Sequence, residues 1–281
     1  MSSQIGSVVG SSKRSKRVQF VLLCLFIPVF IIPFYIVLSA SFKTSAGADV
    51  STMWRLPSQW STEGITKAWQ ALHSNFTNSV LMVVPAVVIS SLIGSLNGFI
   101  LSKYKFRFSN TLFTLMLVGM FIPYQTILIP MVKFLQYIHL YGTIPGLILV
   151  HVVYGIPITS LMFRNFYVSI PKALVEAASI DGAGLMKTFF RIIIPLSIPG
   201  FVVAGIFQFT NIWNDFLFGI VTIPNPANQP VTAALNNLSG TQTVDWNVLM
   251  AGSLIAALPT ALIYLFLGRY YIQGLTAGSV K

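Results

Sequence analysis

Six times between Val18 and Gly268 the chain runs for about 20 residues or more through almost purely apolar side chains; five runs carry no charge and the fifth carries only Asp215. No other feature constrains the fold so strongly. A helix of that length crosses the hydrocarbon core of a bilayer, and a helix satisfies its own backbone hydrogen bonds where no water is present. The runs are Val18 to Phe42, Thr77 to Leu101, Asn110 to Pro130, Ile144 to Phe163, Pro195 to Gly219 and Val248 to Gly268. Only 8% of the residues are charged, against roughly 25% in a soluble domain, so no soluble surface can be built. The expected fold class is an all-α integral membrane protein with six transmembrane helices.

The charges that remain set the topology. Thirteen of the 17 Lys and Arg residues fall on one side of the alternating runs: four in the N-terminal tail, three at Lys103, Lys105 and Arg107, four between runs four and five, and two near the C-terminus. Lys43, Arg55, Lys67 and Lys133 are on the other side. The positive-inside rule then places both termini in the cytoplasm. Topology accounts for the net charge of +11 better than nucleic acid does, because the basic residues form short clusters between apolar runs. The first run follows Lys13, Arg14, Lys16 and Arg17 but exceeds the 7–15 apolar residues typical of a signal peptide, so an uncleaved first helix is expected. The single cysteine, Cys24, excludes an internal disulfide and a cysteine-based zinc site.

Between the runs, the outer segment Lys43 to Phe76 reads as a loop with Trp54, Trp60 and Trp69 suited to the membrane interface. Pro224, Pro226 and Pro230 read as structure breakers after run five. Pro28, Pro33, Pro85, Pro123, Pro157 and Pro259 fall inside expected helices, which suits helices that bend around a cavity or rock between states. Gly94 and Gly98 form a GxxxG pair, with Ser91 and Ser95 on an adjacent strip, and predict close helix packing.

The most informative stretch lies between runs four and five, from Pro171 to Gly184. Pro171 suits a first helical turn, Leu174, Ala177 and Ala178 make a slim apolar face, and Gly182 and Gly184 can end the helix through positive φ. Small residues let another protein's groove approach, and Glu176 and Asp181 offer charges at its rim. The wording Glu176-Ala177-Ala178, three residues, Gly182, nine residues, then Ile192-Ile193-Ile194-Pro195 resembles the EAA loop of binding-protein-dependent ABC importer permeases. Ile194 stands where that pattern usually has leucine.

Trp213-Asn214-Asp215-Phe216-Leu217 and the ending from Arg269 to Lys281 further resemble the maltose-type carbohydrate uptake group, whose smaller six-span permease this chain is similar to over nearly its whole length. The resemblance implies a type I ABC importer transmembrane domain over residues 72–270, preceded by a basic tail (1–17) and the first helix (18–42). It implies a coupling loop at 164–194 and a C-terminal tail at 271–281. It also implies that Glu176, Ala177, Ala178, Asp181, Gly182 and Gly184 meet a cytoplasmic ATPase, with a second contact from Gly274, Thr276, Gly278 and Lys281. The implied partners are a second, different permease subunit, two ABC ATPases, an extracytoplasmic sugar-binding protein, the sugar and the lipid bilayer of a prokaryotic cytoplasmic membrane, with no nucleic acid. No cofactor is expected in this chain, which lacks GxxxxGK[ST]; ATP and magnesium belong to the ATPase.

Independently of the resemblance, Gln208, Asn211 and Asp215 recur at i, i+3 and i+7 in run five. Polar groups at membrane depth face protein or water, so these three, with Asn214 and a Trp213 ring able to stack on a sugar, are the expected substrate pathway; hydrogen bonding between helices is the competing reading. A permease for another solute remains open. A secondary transporter would carry more ionisable groups within its spans, and an intramembrane enzyme finds no HExxH or GxSxG around His73, His139 and His151.

Overall fold

The computed structural model describes residues 13–239 and 244–277, with side chains from Arg17 to Ser239 and from Val244 to Tyr270. Every regular element among the described residues is helical. Among the described residues four helices are long and apolar enough to cross a membrane, or up to six spans if two bent helix pairs each count as one.

Two compact units divide the chain, one formed by Met1–Ala68 with Val244–Leu254 and the other by Trp69–Thr243 with Ile255–Lys281. In the first, α1 (Lys13–Ser41) carries the first apolar run with Pro28 and Pro33 inside it. Its side chains from Arg17 to Phe34 are all exposed, as suits contact with lipid tails. The following segment folds back on the helix end: Tyr35 donates to the Trp54 carbonyl at 3.1 Å, and the buried Lys43 ammonium donates to the Thr52 carbonyl at 2.6 Å. Asn247 donates to the Lys43 carbonyl at 3.3 Å.

The expected outer loop does not extend to Phe76, because α2 (Glu63–Lys103) begins at Glu63. Its 41 residues would span about 60 Å, twice a bilayer's hydrocarbon thickness, so the apolar run marks only its embedded part. Trp69 belongs to this helix and packs its ring on His73 and Phe76.

The second unit holds the elements between α2 and the last helix. Run three is not one helix: α3 (Ser109–Met120) stops before Pro123, a 3₁₀ turn covers Tyr124–Ile127, and α4 (Leu128–Tyr137) leaves at 92°. Proline cannot donate and restricts the residue before it, so the run breaks instead of kinking. Run four is α5 (Ile144–Val168), started by the Thr143 hydroxyl accepting from the Gly146 N–H at 3.2 Å and by Pro145 in the first turn. Then come α6 (Lys172–Ile180), α7 (Leu185–Thr188), a π-helical turn Phe189–Ile193 and α8 (Ile194–Leu196).

Run five is also broken, since α9 (Ile198–Trp213) departs at 80° from the Leu185–Leu196 segment. The proline-rich stretch after it refolds into α10 (Leu217–Thr222), a 3₁₀ turn at Pro226–Asn228 and α11 (Val231–Asn237). Buried Asn75 holds that stretch by donating to the Pro226 and Gln229 carbonyls, both at 2.8 Å. The last helix, α12 (Trp246–Ala277), contains Pro259 and outlasts the expected run by nine residues, Arg269 to Ala277.

The GxxxG expectation holds along the α2–α5 seam. A Cβ on Gly94 would lie 2.0 Å from Thr159 Oγ1, and one on Gly98 would lie 2.6 Å from the Arg164 backbone nitrogen. The closeness brings the Thr159 hydroxyl within 3.0 Å of the Ser90 carbonyl, while the Gly155 carbonyl of its own helix lies at 2.7 Å. A second core sits beside the loop that follows α5, where Phe99, Phe163, Tyr167, Val175, Phe189 and Ile193 pack together.

Candidate functional site

Two places in the second unit carry the residues singled out from the sequence. The first is the α6–α7 turn. Here Gly182 has φ +72, the Gly182 N–H reaches the Ser179 carbonyl at 3.1 Å, and the Ala183 N–H reaches the Ala178 carbonyl at 2.9 Å. These two bonds close the helix in the 6→1 and 5→2 pattern that a left-handed C′ residue allows. Gly184 differs from expectation: its φ of −68 is ordinary, and it stands at the start of α7.

The expected apolar face of α6 is also corrected. Val175 is buried in the Phe99–Phe189 core and Ala178 is buried too, whereas Leu174, Ala177 and Ile180 are exposed, Ile180 at 87%. Val175 and Ala178, three residues apart, define the inner face, and Ala177, about 100° round the helix from Ala178 on the side away from Val175, is turned outward. Glu176 is exposed and pairs with Lys172 at 3.0 Å. Lys103 donates to the Ile170 carbonyl at 2.6 Å, fixing the chain just ahead of α6.

The second place is a cleft of about 900 Å³ walled by α3, α5, α9 and the segment after α9. Gln208, Asn211, Asn214 and Asp215 all line it. Asn211 and Asn214 are exposed, and each donates its amide N–H to the carbonyl four residues earlier in its own helix, at 3.0 and 2.8 Å. Each Oδ1 is thereby left as an acceptor for a visiting donor. Asp215 lies beyond the end of α9, so its i+7 spacing is not helical; its carboxylate accepts from the Phe218 and Gly219 N–H groups at 3.4 and 3.1 Å.

Two expectations fare differently. Gln208 is buried and donates to Ser90 Oγ at 3.0 Å, an approach made possible by Gly155, where a Cβ would collide with the amide. Trp213 does not line the cleft. It is 1% exposed, donates to the Ala256 carbonyl at 2.8 Å and stacks on Phe209 at 5.4 Å, so it is core and not a platform for a sugar ring. Tyr124, Phe216 and Tyr154, at 42%, 40% and 36% exposure, are the exposed rings that line the cleft.

One further cleft residue escaped the sequence reading. His151 is buried in α5 with Nε2 3.7 Å from Asp215 Oδ2 and no hydrogen-bond partner, its ring set against the edge of Phe218. An ionisable ring inside a span is costly, a signal that a search for metal and catalytic motifs does not use. Of the tail residues, Gly274 and Thr276 lie on the backbone of α12, and Gly278 and Lys281 lie outside the described residues.

Residues 90–275 match the family model described as the binding-protein-dependent transport system inner membrane component. The chain belongs to this family. A probable ABC transporter permease of Pyrococcus horikoshii is 52% identical over 185 residues, covering 66% of this chain and 67% of that one. A xylose/arabinose import permease of Haloferax volcanii is 31% identical over 96% of this permease and 95% of its own length. Among solved structures, a bacterial ABC transporter that imports the acidic polysaccharide alginate superposes with a TM-score of 0.80 at 18% identity, over 96% of this permease and 100% of that chain. That likeness supports the fold: the permease has the helical architecture of an ABC importer's membrane component.

Proposed function

We propose that this chain is one permease subunit of an ATP-driven importer that moves a monosaccharide or short oligosaccharide across the membrane by alternating access. The observation that carries the reading is the wall of the cleft. Two asparagine Oδ1 atoms and a carboxylate, all acceptors, stand beside the exposed rings of Phe216 and Tyr154. Sugar hydroxyls are donors, and a sugar's C–H face packs on an aromatic ring. A relative named for xylose/arabinose import agrees with this chemistry.

In this reading both termini are cytoplasmic and α6 is the coupling helix. Its outward residues Leu174, Ala177 and Ile180, with Glu176 and Asp181 at the rim, seat in a groove of an ATPase, and Val175 and Ala178 tie the helix to its own subunit. The assembly comprises a second, different permease, two ATPases that use ATP and magnesium, and an extracytoplasmic binding protein. The C-terminal residues Gly274 to Lys281 add a second ATPase contact.

The test is uptake into liposomes holding the complete complex, with radiolabelled xylose, arabinose and a panel of disaccharides. Accumulation that requires both ATP and the binding protein is expected for at least one sugar. Accumulation of none, in a complex that hydrolyses ATP, would count against the sugar reading.

A further inference from the structure

Between the Leu185–Leu196 segment and the cleft-lining α9 the chain turns through 80°, and Ser197 is the single residue at the joint. Ser197 is fully buried, and its hydroxyl lies 2.6 Å from the Ile193 carbonyl, at the end of the π-helical turn. Tyr167, also fully buried and in the last turn of α5, reaches Ser197 Oγ at 3.1 Å. Ser95 Oγ, from α2, lies 2.5 Å from the same phenol oxygen. One hydroxyl donates one proton, so all three contacts are satisfied together in a single order: Ser95 donates to Tyr167, Tyr167 to Ser197, and Ser197 to the Ile193 carbonyl.

We propose that Tyr167 is a positioning residue for transport, its hydroxyl locking the Ser197 joint so that the Leu185–Leu196 segment and α9 move as one bent lever. The inference rests on the reading of α6 as a coupling helix, and it names the part that passes displacement onward. Three features argue for a lock. The relay joins two continuous helices, α2 and α5, to the joint between the Leu185–Leu196 segment and the cleft-lining α9. It is wholly buried, where an unmet hydroxyl or carbonyl is costly. The Tyr167 ring is held without its hydroxyl, stacked on Phe163 at 5.7 Å and edge-on to Phe99 at 6.3 Å, so tyrosine brings only the hydroxyl beyond what phenylalanine would bring.

The experiment uses Tyr167→Phe in the complete complex in lipid, with Cys24→Ser and spin labels at Met186 and Val203, on either side of the joint and away from the cleft wall. Distances are recorded without nucleotide and with ATP and vanadate, and xylose or arabinose uptake is measured per ATP hydrolysed. In the parent, one narrow distance is expected in each state. In Tyr167→Phe the distribution broadens, and sugar moved per ATP falls roughly three- to tenfold, the factor expected for loss of one buried hydrogen bond, while ATP hydrolysis stays within about twofold. Ser197→Ala, which removes the next link, must reproduce both changes.

Parent-like distances and stoichiometry in either variant would overturn the proposal. If the parent takes up neither sugar, the sugar reading is in question, and the distance measurement still decides the joint. If uptake proceeds and the variants match the parent, only the lock is lost.

Discussion

Glycines in two regions of the second unit meet opposite surroundings. Along the α2–α5 seam, a Cβ on Gly94 would sit 2.0 Å from Thr159 Oγ1 and 2.9 Å from the Ser160 backbone nitrogen, whereas on the broken spans Gly119 of α3 and Gly205 of α9 have nothing within 4 Å. Lipid tails are as apolar as leucine, so membrane helices associate through close packing and hydrogen bonds instead of the hydrophobic effect. The seam has both, and its helices are continuous. The broken spans have space at Gly119 and Gly205, and they carry the cleft and the α6–α7 turn. Rigidity and room for movement are thus assigned to different helices of one unit.

The strongest way to break this contrast is Gly94→Leu. Overpacking costs about 1–3 kcal/mol and more where backbone blocks relief, as Ser160 does here. At least a tenfold loss of folded, membrane-extracted protein is expected by size-exclusion chromatography, whereas Gly205→Ala should match the parent. Equal yields would mean that the seam is no tighter than the broken spans.

Trp213→Ala comes next. With the indole buried, stacked on Phe209 and bonded to the Ala256 carbonyl, its removal should cost about 3–5 kcal/mol, read as a lower thermal unfolding midpoint. Uptake should fall only in proportion to the folded protein lost. A stable protein with selectively lost uptake would return Trp213 to the pathway.

What the sequence could show follows from what a bilayer distinguishes. The six apolar runs were legible because length and polarity decide whether a segment can cross. The Gly182 turn and the Gly94–Gly98 seam were legible because each depends on a missing Cβ. Direction was not: the Asn110–Pro130 and Pro195–Gly219 runs contain breaks at Pro123 and Ser197 that leave hydropathy unchanged. Nor was the facing of apolar side chains, since lipid and protein interior are alike to them. Sequence therefore does not distinguish the buried Trp213 from a ring open to a pathway, or the buried Ala178 from the exposed Ala177. Polar residues were more readable, and Gln208, Asn211, Asn214 and Asp215 do meet in one cleft. His151 is there with them, visible only to a reading that treats any ionisable group in a span as a signal.

Glu176→Lys tests the α6 end of the contrast. Glu176 is exposed and touches only Lys172, so the folded protein should be as stable as the parent. Sugar-stimulated ATP hydrolysis should fall tenfold or more, about the 1.4 kcal/mol that reversing one interface charge readily supplies. Normal stimulation would remove Glu176 from the coupling contact. At the cleft, Asn211→Leu should lower uptake by roughly three- to tenfold, the value of one lost hydrogen bond, with assembly unchanged because the Asn211 amide bonds only its own helix. Unaltered uptake kinetics in a fully assembled complex would exclude Asn211 from the pathway.

The smallest effect is expected from Lys172→Ala, and it sharpens the reading of Glu176. The two side chains pair at 3.0 Å while 68% and 59% exposed, a setting in which solvent and salt screen the attraction and an i, i+4 pair contributes little. If the Glu176 carboxylate acts on a partner, losing its lysine leaves that carboxylate in place, and stimulated ATP hydrolysis should stay within about twofold of the parent. If the internal pair itself shapes α6, Lys172→Ala should fail as badly as Glu176→Lys. The helix needs no such help, because its end is closed by the Gly182 turn and its inner face is held by Val175 and Ala178. A near-silent Lys172→Ala beside a disabled Glu176→Lys would therefore place the action of Glu176 across an interface and not within its own helix.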